Sequence, residues 1–278
     1  MARRRLDAEL VRRGLARSRE QAQEFISAGV VTVKGAVATK AATQVETSDP
    51  VEVVVAEGHG YVSRGAVKLN GALDAFPDVD VTNKCCLDAG ASTGGFTQVL
   101  LERGAAKVLA VDVGYGQLAW PIRTDDRVVV MERTNIRTLT ADDVEFLAEL
   151  VVADLSFISL ALVLPAMVAC TANNADFVIM VKPQFEVGRE AVGDGVIKDP
   201  QVRMGAVLAV AERAIALGLG VAGVAASPLP GPSGNVEYFL WLQRGLGAKP
   251  VDEAPRPSYL RDDDLRQAIT TAVEEGPQ

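Results

Sequence analysis

The sequence has few of the residues on which many catalytic and structural sites depend. It contains one histidine, His59, and three cysteines among 278 residues. A single histidine gives no basis for a histidine-rich metal site or for a Ser-His-Asp triad. Cys85 and Cys86 are adjacent, which is neither a disulfide framework nor a zinc-binding spacing, and this cysteine usage is typical of a reducing compartment. We therefore expect no metal centre.

Long uninterrupted apolar segments are also missing. The most hydrophobic stretch, residues 151–170, contains Asp154 and Pro165, which favours a strand, a turn and a buried helix over a membrane span. The charged first residues are not followed by the apolar region of a signal peptide. Hydrophobic residues make up 49% of the chain, enough for a sizeable core. These features predict a cytoplasmic protein with one large domain and one small one.

Charge is unevenly distributed along the chain. The net charge is −8, which by itself argues against a nucleic-acid ligand. The first 20 residues nevertheless contain seven arginines against three acidic residues. The arginines are Arg3, Arg4, Arg5, Arg12, Arg13, Arg17 and Arg19. This asymmetry predicts a basic module that binds phosphates, although a solvated basic face would have the same composition.

A glycine-rich turn lies between a predicted strand, residues 84–87, and a predicted helix, residues 96–103. Asp112 ends the next apolar run, where a carboxylate can accept hydrogen bonds from ribose hydroxyls. A pyrophosphate fingerprint needs a second glycine two residues after Gly90, where Ser92 stands instead. Asp88, two residues before Gly90, suits a cation better than a diphosphate. The pattern Asp-x-Gly-x-x-x-Gly-Gly thus favours S-adenosylmethionine over an ordinary tight turn.

From residue 84 onward, apolar strands alternate with helices. Further strands are predicted at 107–111, 128–131, 150–154, 177–182, 221–226 and 236–242, and further helices at 141–149 and 202–217. Valine- and isoleucine-rich runs are typical of a parallel sheet buried on both faces. The last two strands are joined without a helix, which predicts an antiparallel pair. We expect an α/β, Rossmann-like class I methyltransferase fold with a seven-stranded sheet whose last strand is antiparallel.

Charged residues stand at the ends of three predicted strands. Asp154 and Lys182 end the fourth and fifth strands, and Glu237 opens the last one. Ligands bind beyond the carboxyl ends of such strands, and the start of an antiparallel strand lies at the same edge. Lys68, on the helix before the first strand, can join them. Taken singly, Lys182 could be a strand-end residue that reaches solvent, and Asp154 a helix cap.

The amino-terminal residues resemble an S4-type RNA-binding domain. The resemblance rests on Arg-Leu-Asp-x-x-Leu-Val-x-Arg-Gly-Leu-Ala-x-Ser-Arg at 5–19 and Ile-x-x-Gly-x-Val-x-Val-x-Gly at 26–35. It implies a small α+β domain, residues 1–57, whose arginines contact an RNA backbone with little base specificity. The candidates are Arg3, Arg5, Arg17 and Arg19. A glycine-containing linker at 58–63 would then join this domain to a catalytic domain, residues 64–278.

Four further segments extend the resemblance to nearly the whole chain. They are Ser-Arg-Gly-Ala-x-Lys-Leu at 63–69, Asp-Leu-Ser-Phe-Ile-Ser at 154–159, Val-Lys-Pro-Gln-Phe-Glu at 181–186 and Gly-Asn-x-Glu-Tyr-Phe at 234–239. The chain resembles the TlyA family of rRNA (cytidine-2′-O)-methyltransferases, which are also named haemolysins and carry an FtsJ-like catalytic domain. The resemblance implies S-adenosylmethionine as cofactor and ribosomal RNA as partner.

The family resemblance also implies roles for individual residues. The catalytic tetrad would be Lys68, Asp154, Lys182 and Glu237, with Lys182 at its centre. Cofactor contacts would come from Asp88, Gly90, Ser92, Thr93, Gly94, Asp112, Asn135, Asp154, Phe157 and Asn235. Arg64, Arg133, Arg137 and Arg189 would extend the RNA contact over the catalytic domain. Two rival functions remain: a non-catalytic ribosome-assembly factor and a membrane-lytic protein. The acidic carboxyl-terminal helix and the missing span argue against the second.

Overall fold

A computed structural model describes residues 3–16, 18–27, 31–53, 60–188, 195–245 and 259–277. The chain forms two compact units, Met1–Gly60 and Tyr61–Gln278. Part of the predicted linker, residues 58 and 59, lies outside the described residues, while Tyr61 and Val62 pack on the core of the second unit. The Val62 N–H donates to Oε1 of Gln98 at 2.8 Å.

The first unit combines two helices with short strands. Its elements are β1 (Arg3–Arg5), α1 (Leu6–Arg12), α2 (Arg19–Ser27), β2 (Val31–Val33), β3 (Ala36–Val37), β4 (Gln44–Glu46) and β5 (Val51–Val53). β1 pairs with β4, and β2 lies between β3 and β5; all three pairings are antiparallel. The core includes Leu6, Leu10, Ile26 and Val31. The order of two helices followed by strands agrees with the predicted S4-type domain.

The helix α2 begins directly after a serine. Ser18 Oγ accepts a hydrogen bond from the Gln21 N–H at 3.2 Å, as expected of an N-cap. The sequence analysis missed β1, β3 and β4. These strands have two or three residues each, too few for an alternating pattern, and β1 consists of three arginines.

The second unit contains the predicted seven-stranded sheet. Its strands are β6 (Cys85–Ala89), β7 (Lys107–Val111), β8 (Val128–Met131), β9 (Ala148–Ala153), β10 (Thr171–Val181), β11 (Leu219–Ala226) and β12 (Tyr238–Arg244). Their order across the sheet is β11-β12-β10-β9-β6-β7-β8. The last strand, β12, lies between β10 and β11 and is antiparallel to both, which confirms the expected fold class.

Helices cover both faces of this sheet. They are α3 (Arg64–Ala75), α4 (Gly95–Glu102), α5 (Trp120–Arg123), α6 (Leu160–Ala169), α7 (Pro183–Glu186), α8 (Pro200–Ala216) and α9 (Asp262–Glu275). One core contains Leu69 of α3 and Leu100 of α4; the other contains Leu164 of α6, Val210 of α8 and Ile269 of α9. Within the part of the chain that the structure describes, no helix has the length and apolar character that a membrane crossing requires.

The predicted helix at 141–149 is wrong. Short 3₁₀ turns occupy Ile136–Thr138 and Ala141–Asp143, and β9 already begins at Ala148. Both the N–H and the hydroxyl of Thr140 donate to Oδ2 of Asp143, at 2.9 and 2.6 Å, which closes one turn locally. The residues that follow are drawn into β9, where sheet pairing outweighs helix propensity.

Candidate active site

The glycine-rich turn lies tightly against the sheet. Gly90 and Gly94 have φ values of 89° and 93°, a region that other residues rarely adopt. A Cβ atom at Gly90 would lie 2.6 Å from the carbonyl oxygen of Asp154. A side chain at Gly90 would therefore push the turn away from the end of β9.

An open cleft lies at this carboxyl edge of the sheet. Its volume is about 340 Å³, within the range of small-molecule sites. It is lined by Gly90, Ser92, Val111, Asp112, Val113, Gln117, Thr134, Ile136, Asp154, Leu155, Ser156 and Phe157. Four residues from the predicted cofactor set at the turn and the strand ends, Gly90, Ser92, Asp112 and Asp154, thus share one cleft.

Asp112 connects the glycine-rich turn to the loop after β7. Its Oδ2 accepts a hydrogen bond from the Ser92 N–H at 2.8 Å, and its Oδ1 accepts one from the Gly114 N–H at 2.6 Å. A second hydrogen bond links the turn to this loop, because the Thr93 carbonyl accepts from the Ala119 N–H at 3.1 Å. The carboxylate of Asp112 is therefore held in place at the cleft wall.

Asp88 is a buried carboxyl group behind the turn, with 0% of the residue exposed. Its Oδ2 accepts a hydrogen bond from Oγ1 of Thr97 at 2.6 Å, whereas no described residue donates to Oδ1. The pKa of Asp88 is raised to about 7, mainly by burial; the charges of Asp154 and Asp112 act in the same direction, and hydrogen bonds from Thr97 act against it. Three acidic groups therefore create negative potential here, which favours a cation.

Lys182, which is buried, and Asp154, which is half-buried, form the first of two ion pairs at this edge. The Nζ atom of Lys182 lies 2.5 Å from Oδ1 of Asp154 and donates to Oγ of Ser156 at 3.0 Å. The carboxyl ends of β9 and β10 bring these groups together, since the two strands are parallel neighbours. Sequence reasoning missed Ser156, although it lies two residues after Asp154 in a segment already singled out.

Lys68 and Glu237 form the second pair, with Nζ 2.5 Å from Oε2. Tyr238 pairs with Val181 across β12 and β10, so Glu237 and Lys182 are the next residues outward on neighbouring strands. Both residues of the second pair are buried. The structure thus brings all four predicted tetrad residues to one edge of the sheet, as two lysine–carboxylate pairs.

A second glycine makes room for this pair. A Cβ atom at Gly231 would lie 2.6 Å from Oε1 of Glu237. Gly231 belongs to the turn before β12, where its N–H donates to the Asn235 carbonyl at 2.8 Å. Sequence reasoning predicted a cofactor contact for Asn235 of this turn but gave Gly231 no role at the site.

The remaining predicted cofactor residues differ in their surroundings. Phe157 is 90% exposed at the cleft, with φ 64°, and its ring centroid lies 5.1 Å from that of Phe185. Asn135 accepts a hydrogen bond from the Arg137 N–H at 3.0 Å. Asn235 is buried, accepting from the Ile197 N–H at 2.9 Å and donating to the Gly195 carbonyl at 2.7 Å. For both asparagines a cofactor contact stays a prediction.

Three predicted RNA-binding arginines of the second unit are exposed. Arg64 donates to the Pro230 carbonyl at 3.4 Å, and the Arg133 guanidinium lies 4.1 Å from the centroid of the Tyr115 ring. Arg137 lies two residues after Asn135. Arg189 lies outside the described residues, and RNA contact by each of these four arginines stays a prediction.

In the first unit, Arg5 and Arg19 both contact the carboxylate of Asp7, at 2.9 and 3.0 Å. Arg17 and the side chain of Arg3 lie outside the described residues. Among the residues that are described, no cluster of three or more histidine, cysteine, aspartate or glutamate side chains could hold a metal ion.

Two parts of the chain match known domain families. Residues 61–244 match the FtsJ-like methyltransferase family, and residues 4–51 match the S4 domain. A Mycobacterium tuberculosis protein named 16S/23S rRNA (cytidine-2′-O)-methyltransferase TlyA is 61% identical over 260 residues, covering 91% of this chain and 97% of the relative. The chain belongs to the TlyA family of FtsJ-like methyltransferases.

Two further members of this family show how far the similarity extends. Hemolysin A of Brachyspira hyodysenteriae is 39% identical over 238 residues, covering 84% of this chain and 98% of the relative. A solved structure from Streptococcus thermophilus, which carries a hemolysin name, has a TM-score of 0.75 at 35% identity and covers 99% of this chain and 97% of the other. The family resemblance predicted from the sequence is confirmed.

Proposed function

We propose that the protein transfers a methyl group from S-adenosylmethionine to the 2′-hydroxyl of a cytidine ribose in ribosomal RNA. The observation that carries this proposal is that two lysine–carboxylate pairs, Lys68 with Glu237 and Lys182 with Asp154, lie at the edge of the sheet where the Gly90 turn also lies. The name of the Mycobacterium tuberculosis relative supports this substrate class. An RNA substrate also agrees with the S4 domain, and we place the protein in the cytoplasm, with the ribosomes.

The size and the acidic lining of the cleft support S-adenosylmethionine as the cofactor. Gly90 lets a ligand approach the backbone closely, and Asp112 can accept hydrogen bonds from ribose hydroxyls. Asp112 and Asp154 in the cleft wall, with the buried Asp88 behind the turn, are acidic groups that suit a ligand with an ammonium and a sulfonium group. When bound, this cofactor supplies a methyl group on a positively charged sulfur.

The tetrad residues can orient and activate the hydroxyl that receives the methyl group. Lys182 is held between Asp154 and Ser156, so its Nζ has a defined position from which to donate a hydrogen bond to a ribose O2′. A lysine at this position stabilises negative charge on O2′ as the hydroxyl proton leaves, and a neighbouring carboxylate can accept that proton. Lys68 compensates the buried charge of Glu237 beside it.

A methyl-transfer assay with a matched control tests the proposal. Ribosomal RNA from a strain that lacks the gene is incubated with labelled S-adenosylmethionine, and methylated riboses are mapped. We expect label at cytidine O2′ with the wild-type protein and at least a hundredfold less with Lys182→Ala. Lys107→Ala, which removes an exposed lysine paired with Glu145, controls for the loss of charge and should match the wild type.

Two outcomes would favour the rival functions. RNA binding without incorporation of label by the wild-type protein would indicate a non-catalytic assembly factor. Dye release from liposomes by the purified protein would indicate the membrane-lytic activity that the hemolysin names of its relatives suggest.

A further inference from the structure

We propose that Asp7 is a positioning residue that fixes Arg5 and Arg19 as a clamp for one phosphodiester of the RNA backbone. The inference rests on the proposed RNA substrate and adds to it the residue that holds Arg5 and Arg19 in place. Its evidence is the set of contacts around one buried carboxylate.

Asp7 lies in the first turn of α1, and 0% of the residue is exposed. Its Oδ1 accepts hydrogen bonds from Nε of Arg5 at 3.1 Å and from the Ala8 N–H at 2.8 Å. Its Oδ2 accepts from Nη2 of Arg5 at 2.9 Å, Nη2 of Arg19 at 3.0 Å and Nε2 of Gln23 at 3.2 Å. Five donors saturate the two oxygens, so RNA cannot bind Asp7 directly.

The two arginines are only partly used by this contact. The Arg5 and Arg19 side chains are 45% and 54% exposed. Asp7 takes Nε and Nη2 of Arg5 and Nη2 of Arg19, so Nη1 of Arg5 and both Nε and Nη1 of Arg19 lie outside the contact. A guanidinium fork matches phosphate oxygens, and one carboxylate that orders two guanidiniums lowers the entropy lost when a phosphate binds.

A second buried carboxylate on the same helix shows a different arrangement. Glu9 accepts from Nε and Nη2 of Arg12, at 2.8 and 2.6 Å, and from Nε of Arg13 at 2.8 Å. The other Arg13 nitrogens donate to the carbonyls of Asp49 at 2.8 Å and Thr47 at 3.0 Å. Through Arg13, this cluster fastens α1 to the turn before β5, so Glu9 provides a matched control.

The experiment compares Asp7→Asn with Glu9→Gln in the full-length protein. A fluorescent RNA hairpin of unrelated sequence serves as the probe, because phosphate contacts carry little sequence information. Both variants raise the net charge by one, so a change in overall charge alone would tighten RNA binding in both. We expect Asp7→Asn to raise Kd about tenfold. We also expect the negative slope of log K against log salt to become shallower by about one. Glu9→Gln should bind at least as tightly as the wild type.

Asp7→Asn binding as tightly as the wild type or more tightly, with an unchanged salt slope, would overturn the inference. If thermal melting shows that Asp7→Asn does not fold, Arg5→Lys replaces it. That variant keeps the charge, but one ammonium cannot span Asp7 and a phosphate, so weaker binding is again expected and unchanged binding would refute the clamp. Ribose methylation by the wild type is scored separately, so failure of the proposed function stays distinguishable.

Discussion

Replacing Asp88 by asparagine should change how the stability of the ligand-free protein depends on pH. The folded protein holds the Asp88 pKa at about 7, mainly through burial, whereas the pKa of an aspartate in the unfolded chain lies near its ordinary value of 3.8. Between these values the folded state binds the extra proton, so the free energy of unfolding falls as pH rises from about 4 to about 7. Above pH 7 both states are ionised, and the loss stays constant.

The magnitude follows from the pKa difference. A shift of roughly three units, at about 1.36 kcal/mol per unit, corresponds to about 4 kcal/mol lost at pH 8 relative to pH 4. Asparagine cannot ionise, so Asp88→Asn removes this term. The difference in unfolding free energy, mutant minus wild type, should therefore increase by about 4 kcal/mol between pH 4 and pH 7 and then level off.

Urea unfolding of the ligand-free protein at pH 4, 5, 6, 7 and 8 measures this difference. Asp74→Asn is the matched control, because Asp74 forms an exposed ion pair with Arg103; its difference from the wild type should vary by well under about 1 kcal/mol. A ¹³C carboxyl titration of Asp88 reports the same equilibrium directly. A mutant-minus-wild-type difference that does not vary with pH would refute the reasoning.

Two further predictions concern residues that sequence reasoning did not place at the site. Gly231→Ala puts a Cβ where Oε1 of Glu237 lies, so methyl transfer should fall by about a hundredfold while circular dichroism stays native; Gly205→Ala, where the added Cβ meets nothing within 4 Å, should retain full activity. Ser156→Ala removes one of the groups that hold Lys182 and should lower kcat by about tenfold with little change in KM. Ser156→Thr should restore most of that activity, and equal rates for both Ser156 variants would contradict the positioning role.

Much of the fold could be predicted because its signals are local or periodic. Buried parallel strands carry long apolar runs, and the direct link before β12 required an antiparallel strand. The helix wrongly predicted at 141–149 shows the limit of such signals. Helix propensity there competed with the pairing of β9 to β6 and β10, which depends on distant segments.

Some residues of the candidate site could likewise be predicted from the sequence, and others could not. Lys182 and Asp154 stand at strand ends, where charge is costly unless it serves a purpose, so the sequence could point to them. Gly231 could not be found in this way, because its importance is the space that it leaves for Glu237. Close approach of two segments leaves no periodic or compositional mark in either of them.

The amino-acid sequence by itself determined the order along the chain of the seven strands of the large sheet, the identity of the charged strand-end residues and the family to which the chain belongs. Only the tertiary structure decided which side chains pair. Lys68 pairs with Glu237, 169 positions apart, and Lys182 contacts Asp154 and Ser156. It also decided that Asp88 is buried and that no described residue donates a hydrogen bond to its Oδ1. The physical reason is that ion pairing and desolvation depend on distances through space, which strand register and helix packing set.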